Sequence, residues 1–422
     1  MIKNFFSSSL LISTGVYATT NVINAAIPFF LLPVLTRYLT PEDYGIVAMF
    51  AVMLGIVGTF TGLSVHAAIG RQYFERNTVN FPKYITNCLY ILFTSSAFVW
   101  FLLWFFSDWI SQFTKFPANW FWAVLTTSVG QFIILVVLTL WQVEFKSIFY
   151  SLFQILFTLT NFGLSIWFIV GLNMNWQGRI EGQVIATIGF ALLGFIILWK
   201  SGWLKFGYSG RYVRHALNYG IPLIPHTVGG ILISMTDKIL ITKMIGVADT
   251  GIYVVGAQVG MIIGMIESSF NQAWMPWLFN ELKKNDIVVK LRVVKITYFY
   301  GFFILVTAIL LSMAAPWFLS FFVGRNFADA TQYVIWIALG YAFSGMYKMA
   351  ANYIFYAETT HILAWITFFT ACTNILISYF LIRLNGAIGA AQGTMCTFLI
   401  SFILTWILSA RLYKMPWGLK IS

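Results

Sequence analysis

Apolar residues run along this chain in long blocks rather than in alternation. Twelve blocks can be marked off, at about 10–35, 45–69, 84–106, 120–142, 148–171, 183–199, 218–241, 251–274, 296–320, 331–356, 362–383 and 387–409. Roughly 20 residues is the length a helix needs to cross ~30 Å of hydrocarbon, and barrel strands would alternate polar and apolar positions instead. The pattern therefore predicts an all-α integral membrane protein with twelve transmembrane helices. The first block follows Met1–Ser9 and carries Asn21, Asn24, Pro28 and Pro33 with no small-residue cleavage site, so it reads as a retained helix rather than a signal peptide. Connections of about 17 residues at most leave no room for a soluble catalytic domain.

The polar positions repeat. Leu35-Thr36-Arg37-Tyr38-Leu39, followed by Asp43, Gly45 and Ile46, returns 206 positions later as Ile241-Thr242-Lys243-Met244-Ile245, followed by Asp249, Gly251 and Ile252. Thr160-Asn161 and Ser165 return at an offset of 213 as Thr373-Asn374 and Ser378. Gly178 to Gly182 and Gly386 to Ala390 each open the last span of their half. The chain therefore reads as two similar halves: an N-terminal six-helix bundle at 1–199, a cytoplasmic basic linker at 200–217, and a C-terminal six-helix bundle with a short cytoplasmic tail at 218–422. Six crossings return the chain to its starting side, so the halves share one orientation and are related by an axis along the membrane normal, as in transporters built from parallel repeats. Chemistry is then to be sought where the halves differ: Asp237 and Lys238 align with Leu31 and Leu32, and Glu267 with Thr61.

Within the spans, Gln154, Thr158, Asn161 and Ser165 share one helix face, as do Thr367, Thr370, Asn374 and Ser378. Thr20, Asn24 and Pro28 form a face on the first span, and His226, Gly230, Ser234 and Asp237 one on the seventh. Such stripes either glue helices together by hydrogen bonds or line a hydrated cavity. Charges at bilayer depth cost about 2.5 to 3.5 kcal/mol each on insertion scales, so they are normally partnered or wetted. Asp237 and Lys238 are neighbours about 100° apart on the helix; they pair if the lysine bends, or Asp237 snorkels to the interface. Lys348 has no acid in its own span and points to a cavity. Glu267 is a protonatable coupling group or a packing carboxylate, and His226, between Pro222 and Pro225, a packed polar residue or a proton relay. Pro28, Pro33, Pro222 and Pro225 are bending points.

Composition agrees and adds topology. Sixty per cent hydrophobic residues, nine per cent charged and a mean hydropathy of +0.83 exclude an ordinary soluble domain, which is about a quarter charged. The net charge of +12 looks like a nucleic-acid footprint, but its placement argues otherwise. With the N-terminus inside, seventeen of the 25 lysines and arginines fall on the cytoplasmic side against six outside, so both termini are read as cytoplasmic and anionic lipid as the counter-charge. No nucleic-acid partner is expected. Cys88, Cys372 and Cys396 lie far apart within spans and suggest neither disulfides nor a metal site. With no GxxxxGK[ST] loop, HExxH pair or nominable catalytic triad, the sequence reads as a non-enzyme without cofactor.

The stretch Phe29-Phe30-Leu31-Leu32-Pro33-Val34-Leu35-Thr36-Arg37-Tyr38-Leu39-Thr40-Pro41-Glu42-Asp43-Tyr44-Gly45 resembles the opening signature of bacterial polysaccharide transporters, the Wzx-type O-antigen flippases. Thr236-Asp237-Lys238-Ile239-Leu240-Ile241, with Gly246 and Gly251-Ile252-Tyr253, is similar to that family's seventh-helix motif, which MATE-like relatives share more widely. The resemblance implies a MATE-like fold of two pseudo-symmetric six-helix bundles around a cationic cavity that alternates its opening. It implies a substrate too: undecaprenyl diphosphate carrying a glycan repeat unit, moved from the cytoplasmic to the periplasmic leaflet of the bacterial inner membrane. On that reading Lys348 and Lys238 are the first diphosphate contacts, with Arg37, Arg71, Lys243 and Arg292 at the mouths. Asn161, Asn374 and Asn24 face the sugar. Asp237, Glu267 and His226 are the ion-coupling or gating groups, for a proton or sodium ion. Polymerase and chain-length proteins of the same pathway are candidate partners. The first span departs from some lipid-diphosphate flippases in having no cation between Lys3 and Arg37.

Rival readings stay open at this point. A MATE-like drug exporter has the same architecture but favours an acidic cavity. A membrane enzyme of glycan assembly needs a long outer loop with catalytic basic residues, whereas each outer loop here holds one basic residue. A non-transporting scaffold predicts a dry apolar seam between the halves.

Overall fold

The structure is a computed structural model that describes residues 20, 23–24, 27 and 29 and residues 31–418 except 358 and 359; at 226, 233, 360–362 and 364 only the backbone is described. The described residues contain helices and turns but no strand. They divide into two compact units, Met1–Ile231 and Leu232–Ser422.

In the first unit, residues 31–38 are helical and lead into α1 (Pro41–Phe60). Why a helix restarts there is legible: Thr40 accepts from the Asp43 amide while the Asp43 carboxylate accepts from the Thr40 amide, and Pro41 occupies the first turn. α1 ends at Thr61, where Gly62, Leu63 and Ser64 all take positive φ, and α2 (Val65–Gln72) resumes beyond the turn. A Cβ on Gly62 would come within 2.3 Å of the Phe132 ring, so this corner is reserved for glycine. There follow α3 (Phe81–Phe105), α4 (Ser107–Thr114), α5 (Phe121–Val143), α6 (Ser147–Ile166), α7 (Asn175–Lys200) and α8 (Gly210–Gly220). The segment 203–217, read from its charge as a linker, lays Trp203, Leu204, Tyr212, Val213 and Leu217 against the core around Ile69, Tyr84 and Val136. Its backbone is tied to α3 as well: the Ser209 amide donates to Asn87 Oδ1 and the Lys205 amide to Thr86 Oγ1.

Pro222 lies in a single 3-10 turn, Ile221–Leu223, that joins α8 to α9 (Ile224–Met244). The second unit then comprises the latter part of α9 with α10 (Val247–Leu282), α11 (Ile287–Phe322), α12 (Thr331–Tyr356), α13 (Thr360–Asn385) and α14 (Ile388–Leu412). Both α10 and α11 have 36 residues, about 54 Å at 1.5 Å per residue, so each outruns the hydrocarbon by some 20 Å. Lipid supplies no hydrophobic drive for helix association, so close approach depends on small residues. Gly256, Gly260 and Gly264 provide it on α10: a Cβ there would stand 2.4 Å from the Ala330 carbonyl, 2.7 Å from Ile337 and 2.7 Å from Tyr341. α10 and α12 therefore run side by side with matched numbering, which decides what meets further along.

Among the described residues ten helices are long and apolar enough to cross a membrane. Gly210–Leu232 with Ser234–Met244 qualifies as an eleventh when taken together across a bend, which falls beyond Pro222 and Pro225, the predicted bending points. The predicted span at 10–35, with Pro28, lies largely outside the described residues. One boundary differs in an informative way, since the sixth predicted span begins at Asn175 rather than near 183. Arg179 and Glu181 had cut that apolar block short.

Candidate functional site

Past the glycine seam, α10 and α12 present matched polar rungs. Lys348 Nζ lies 2.7 Å from Glu267 Oε1, and one turn on Asn352 Nδ2 donates to Asn271 Oδ1 at 2.8 Å. The acid that Lys348 lacks in its own helix comes from the neighbour, so the lysine is ion-paired rather than alone. The pair is lopsided: the Glu267 side chain is 3% exposed and that of Lys348 33%. Glu267 Oε2 has no hydrogen-bond partner. Gly345 makes room for the carboxylate, because a Cβ there would fall 2.9 Å from Glu267 Cβ and 2.5 Å from the Tyr300 hydroxyl.

A second cluster gathers around Asp237 of α9, buried at 7% exposure. Its Oδ2 accepts from the Tyr253 hydroxyl and from Thr394 Oγ1, both at 2.6 Å. Thr394 accepts in turn from Asn374 Nδ2 at 3.4 Å, and Ser378 stands beside the same carboxylate. Three oxygens in this cluster lack a hydrogen-bond partner: Asp237 Oδ1, Asn374 Oδ1 and Ser378 Oγ. Buried orphan oxygens are rare in folded proteins, and three of them belong to this cluster. The predicted pairing of Asp237 with Lys238 is not formed; Lys238 Nζ turns to Met235 Sδ at 3.2 Å, as the 100° between adjacent helix positions favours. Nor does Asp237 snorkel, since its burial keeps it from water.

The matching face in the first unit meets the opposite charge. Arg179 Nη1 donates to Asn161 Oδ1 at 2.9 Å and to Ser165 Oγ at 3.0 Å, and its guanidinium stacks 4.8 Å over the Phe162 ring. The loop between α6 and α7 is tightened by a π-helical turn, Trp167–Gly171, and Gly178 and Gly182 let α7 close on α6, with a Gly182 Cβ falling 2.6 Å from the Ser165 amide. Asn161 is thus occupied by a cation of its own chain.

The other predicted residues scatter. Arg71 is exposed and bridges to Glu75 at 2.7 Å; Arg37, Lys243 and Arg292 are exposed; Asn24 is half-buried. The His226 side chain lies outside the described residues. Sequence reasoning missed Arg179, Tyr253 and Thr394. Tyr253 carried a usable signal, because it aligns at the 206 offset with Val47 and so, like Asp237, belongs to one half only. The repeated Asp43 and Asp249 prove to be first-turn helix acids, Asp43 as half of a capping box, which explains their repetition by architecture.

No cluster of three or more His, Cys, Asp or Glu side chains occurs among the described residues. Long apolar helices in two units, each with a buried polar cluster, define a multi-pass membrane protein. The chain belongs to the polysaccharide biosynthesis protein family, whose profile matches residues 10–281. The motifs at 29–45 and 236–253 both lie inside that range. An uncharacterized membrane protein of Haemophilus influenzae is 26% identical over 359 residues, covering 83% of this chain and 85% of that protein. Among solved structures, the lipid II flippase MurJ in an inward closed conformation superposes with a TM-score of 0.73 at 14% identity, over 95% of this chain and 87% of that one. An inward-facing multidrug resistance MATE family transporter of the MOP superfamily superposes at 0.68 and 14% identity, over 93% and 98%. At those identities the fold is shared: this chain is MATE-like.

Proposed function

We propose that the protein is a flippase for lipid-linked oligosaccharides: undecaprenyl-diphosphate-linked repeat units of O-antigen or a related surface polysaccharide pass from the cytoplasmic to the periplasmic leaflet of the inner membrane by alternating access. The observation that carries this reading is Lys348, an intramembrane cation one-third exposed in a chain of the polysaccharide biosynthesis family. A diphosphate needs a cation in its path, and a charge kept at membrane depth is there for a reason. The termini stay cytoplasmic, 1–199 and 218–422 are the two bundles, and Lys348 receives the headgroup with Lys238 as second contact. Asp237 is an ion-coupling group, supported by the orphan oxygens of Asn374 and Ser378 beside its own Oδ1. A proton or a sodium ion would each supply what those oxygens lack. Polymerase and chain-length proteins of the pathway are its partners. Asn161 is a weaker sugar contact than its repeat, because Arg179 already holds it.

A small-molecule exporter is the second reading, favoured by the two buried carboxylates, Asp237 and Glu267, in the second unit. Complementation separates the two. In a strain lacking this gene, Lys348→Met is expected to abolish surface polysaccharide at normal protein abundance, with no change in drug tolerance. Wild-type polysaccharide would sink the headgroup assignment, and a drug-tolerance defect with intact polysaccharide would favour the exporter.

A further inference from the structure

The Glu267–Lys348 pair is built asymmetrically, and the asymmetry has a chemical consequence. Lys348 faces outward from the pair at 33% exposure, within reach of a ligand, while Glu267 sits behind it at 3%. The stem of Glu267 packs against the backbone of α12 at Gly345, where a Cβ would fall 2.9 Å from Glu267 Cβ. The titratable groups that interact with it electrostatically are Lys348 and Tyr341 from α12 and Tyr300 from α11, so among the described residues Lys348 is the one cation against it. Its second oxygen is already without a partner.

We propose that this pair is an exchange site: a phosphate group of an anionic lipid headgroup takes the place of Glu267 on Lys348, and Glu267 takes up one proton. The proposal rests on the reading that Lys348 receives the headgroup. Charge balances, since the ammonium keeps one anion throughout and the released carboxylate is neutralised by a proton from water. A carboxylate that is buried and stripped of its cation is far more costly than a neutral acid, so neutralisation is the route open to it. No bond other than O–H is made or broken. Run backwards, loss of that proton lets Glu267 reclaim Lys348 and expel the headgroup, so loading and release are tied to proton occupancy at one carboxyl. Linkage makes the coupling reciprocal: uptake of one proton on binding weakens affinity about tenfold for each unit of rising pH.

Calorimetry on the full chain in lipid nanodiscs tests this, with farnesyl diphosphate as the probe at pH 7.5 in two buffers of different ionisation enthalpy. A phosphate group whose second pKa is about 6 is nearly fully ionised there, so it contributes little to the proton count. Wild type should take up about one proton per headgroup bound, Glu267→Gln should bind with almost none, and Lys348→Met should lose binding. Equal proton uptake by wild type and Glu267→Gln, with binding still lost in Lys348→Met, overturns the exchange and leaves the headgroup reading standing. Undiminished binding by Lys348→Met overturns that reading, and the exchange with it. Should Glu267→Gln fail to fold, wild type alone decides, because binding without proton uptake contradicts the exchange.

Discussion

The two units carry the same pair of side chains and answer it with opposite charges. In the first, Asn161 and Ser165 sit four residues apart on α6, and Gly182 of α7 closes on Ser165. In the second, Asn374 and Ser378 sit four apart on α13, and Gly393 of α14 closes on Ser378. Arg179 fills the first site, and its one nitrogen Nη1 serves both acceptors. Asp237 enters the second, where Asp237 Oδ1, Asn374 Oδ1 and Ser378 Oγ are left without a hydrogen-bond partner. The glycine contacts, which hold the helices, are kept in both copies. A repeated scaffold is thus closed with a cation in one half and holds an anion in the other, which on the proposed function is where the coupling ion binds. On that proposal the first site is structural and the second couples.

The largest effects should separate those roles. Asp237→Asn is expected to lower transport of lipid-linked substrate into vesicles by a hundredfold or more, the scale of losing about 3 kcal/mol from an essential step, with an unchanged melting profile in detergent. Near-native transport would remove Asp237 from the coupling site. Arg179→Ala should do the reverse. It removes two charge-assisted hydrogen bonds and costs about 1.5 to 3 kcal/mol for each, read as a lower midpoint of thermal unfolding, while transport per folded molecule stays within a few-fold of wild type. A selective transport defect in Arg179→Ala would make the first site functional and break the comparison.

Much of this architecture was legible in the sequence, and the unread part has a common cause. Blocks of apolar residues announce spans because hydrocarbon admits little else, and the repeat around Arg37 and Lys243 announced the duplication. Helix starts failed where a charge is satisfied by tertiary contact: Arg179 ended the apolar block near 183, yet Asn161 and Ser165 admit it to α7. Partners failed for the same reason. That Glu267 meets Lys348 depends on the Gly256, Gly260 and Gly264 seam holding α10 and α12 in matched register, and 81 residues of separation carry no pattern that announces it. Asp237 was found by asking which residues lack a counterpart in the other half. The same question reaches Tyr253, while Thr394 needed the fold.

The smallest expected effect is the most discriminating. Gly182→Ala puts a methyl group 2.6 Å from a backbone nitrogen, so α6 and α7 must move apart, and overpacking of that kind costs about 1 to 3 kcal/mol. Gly393→Ala meets Ser378 Oγ first, at 2.4 Å, with Ser378 Cα at 2.8 Å behind it. Rotation of the Ser378 hydroxyl relieves the nearer contact and leaves a smaller helix displacement for the rest. Gly393→Ala should therefore cost less stability than Gly182→Ala, yet turn Ser378 away from Asp237 and lower the ion dependence of transport several-fold. Paired melting curves and vesicle assays at two ion concentrations check both halves of this expectation. If the two alanines cost equal stability and neither alters ion dependence, Ser378 is a packing residue like Ser165, and the open oxygens around Asp237 must be accounted for without it.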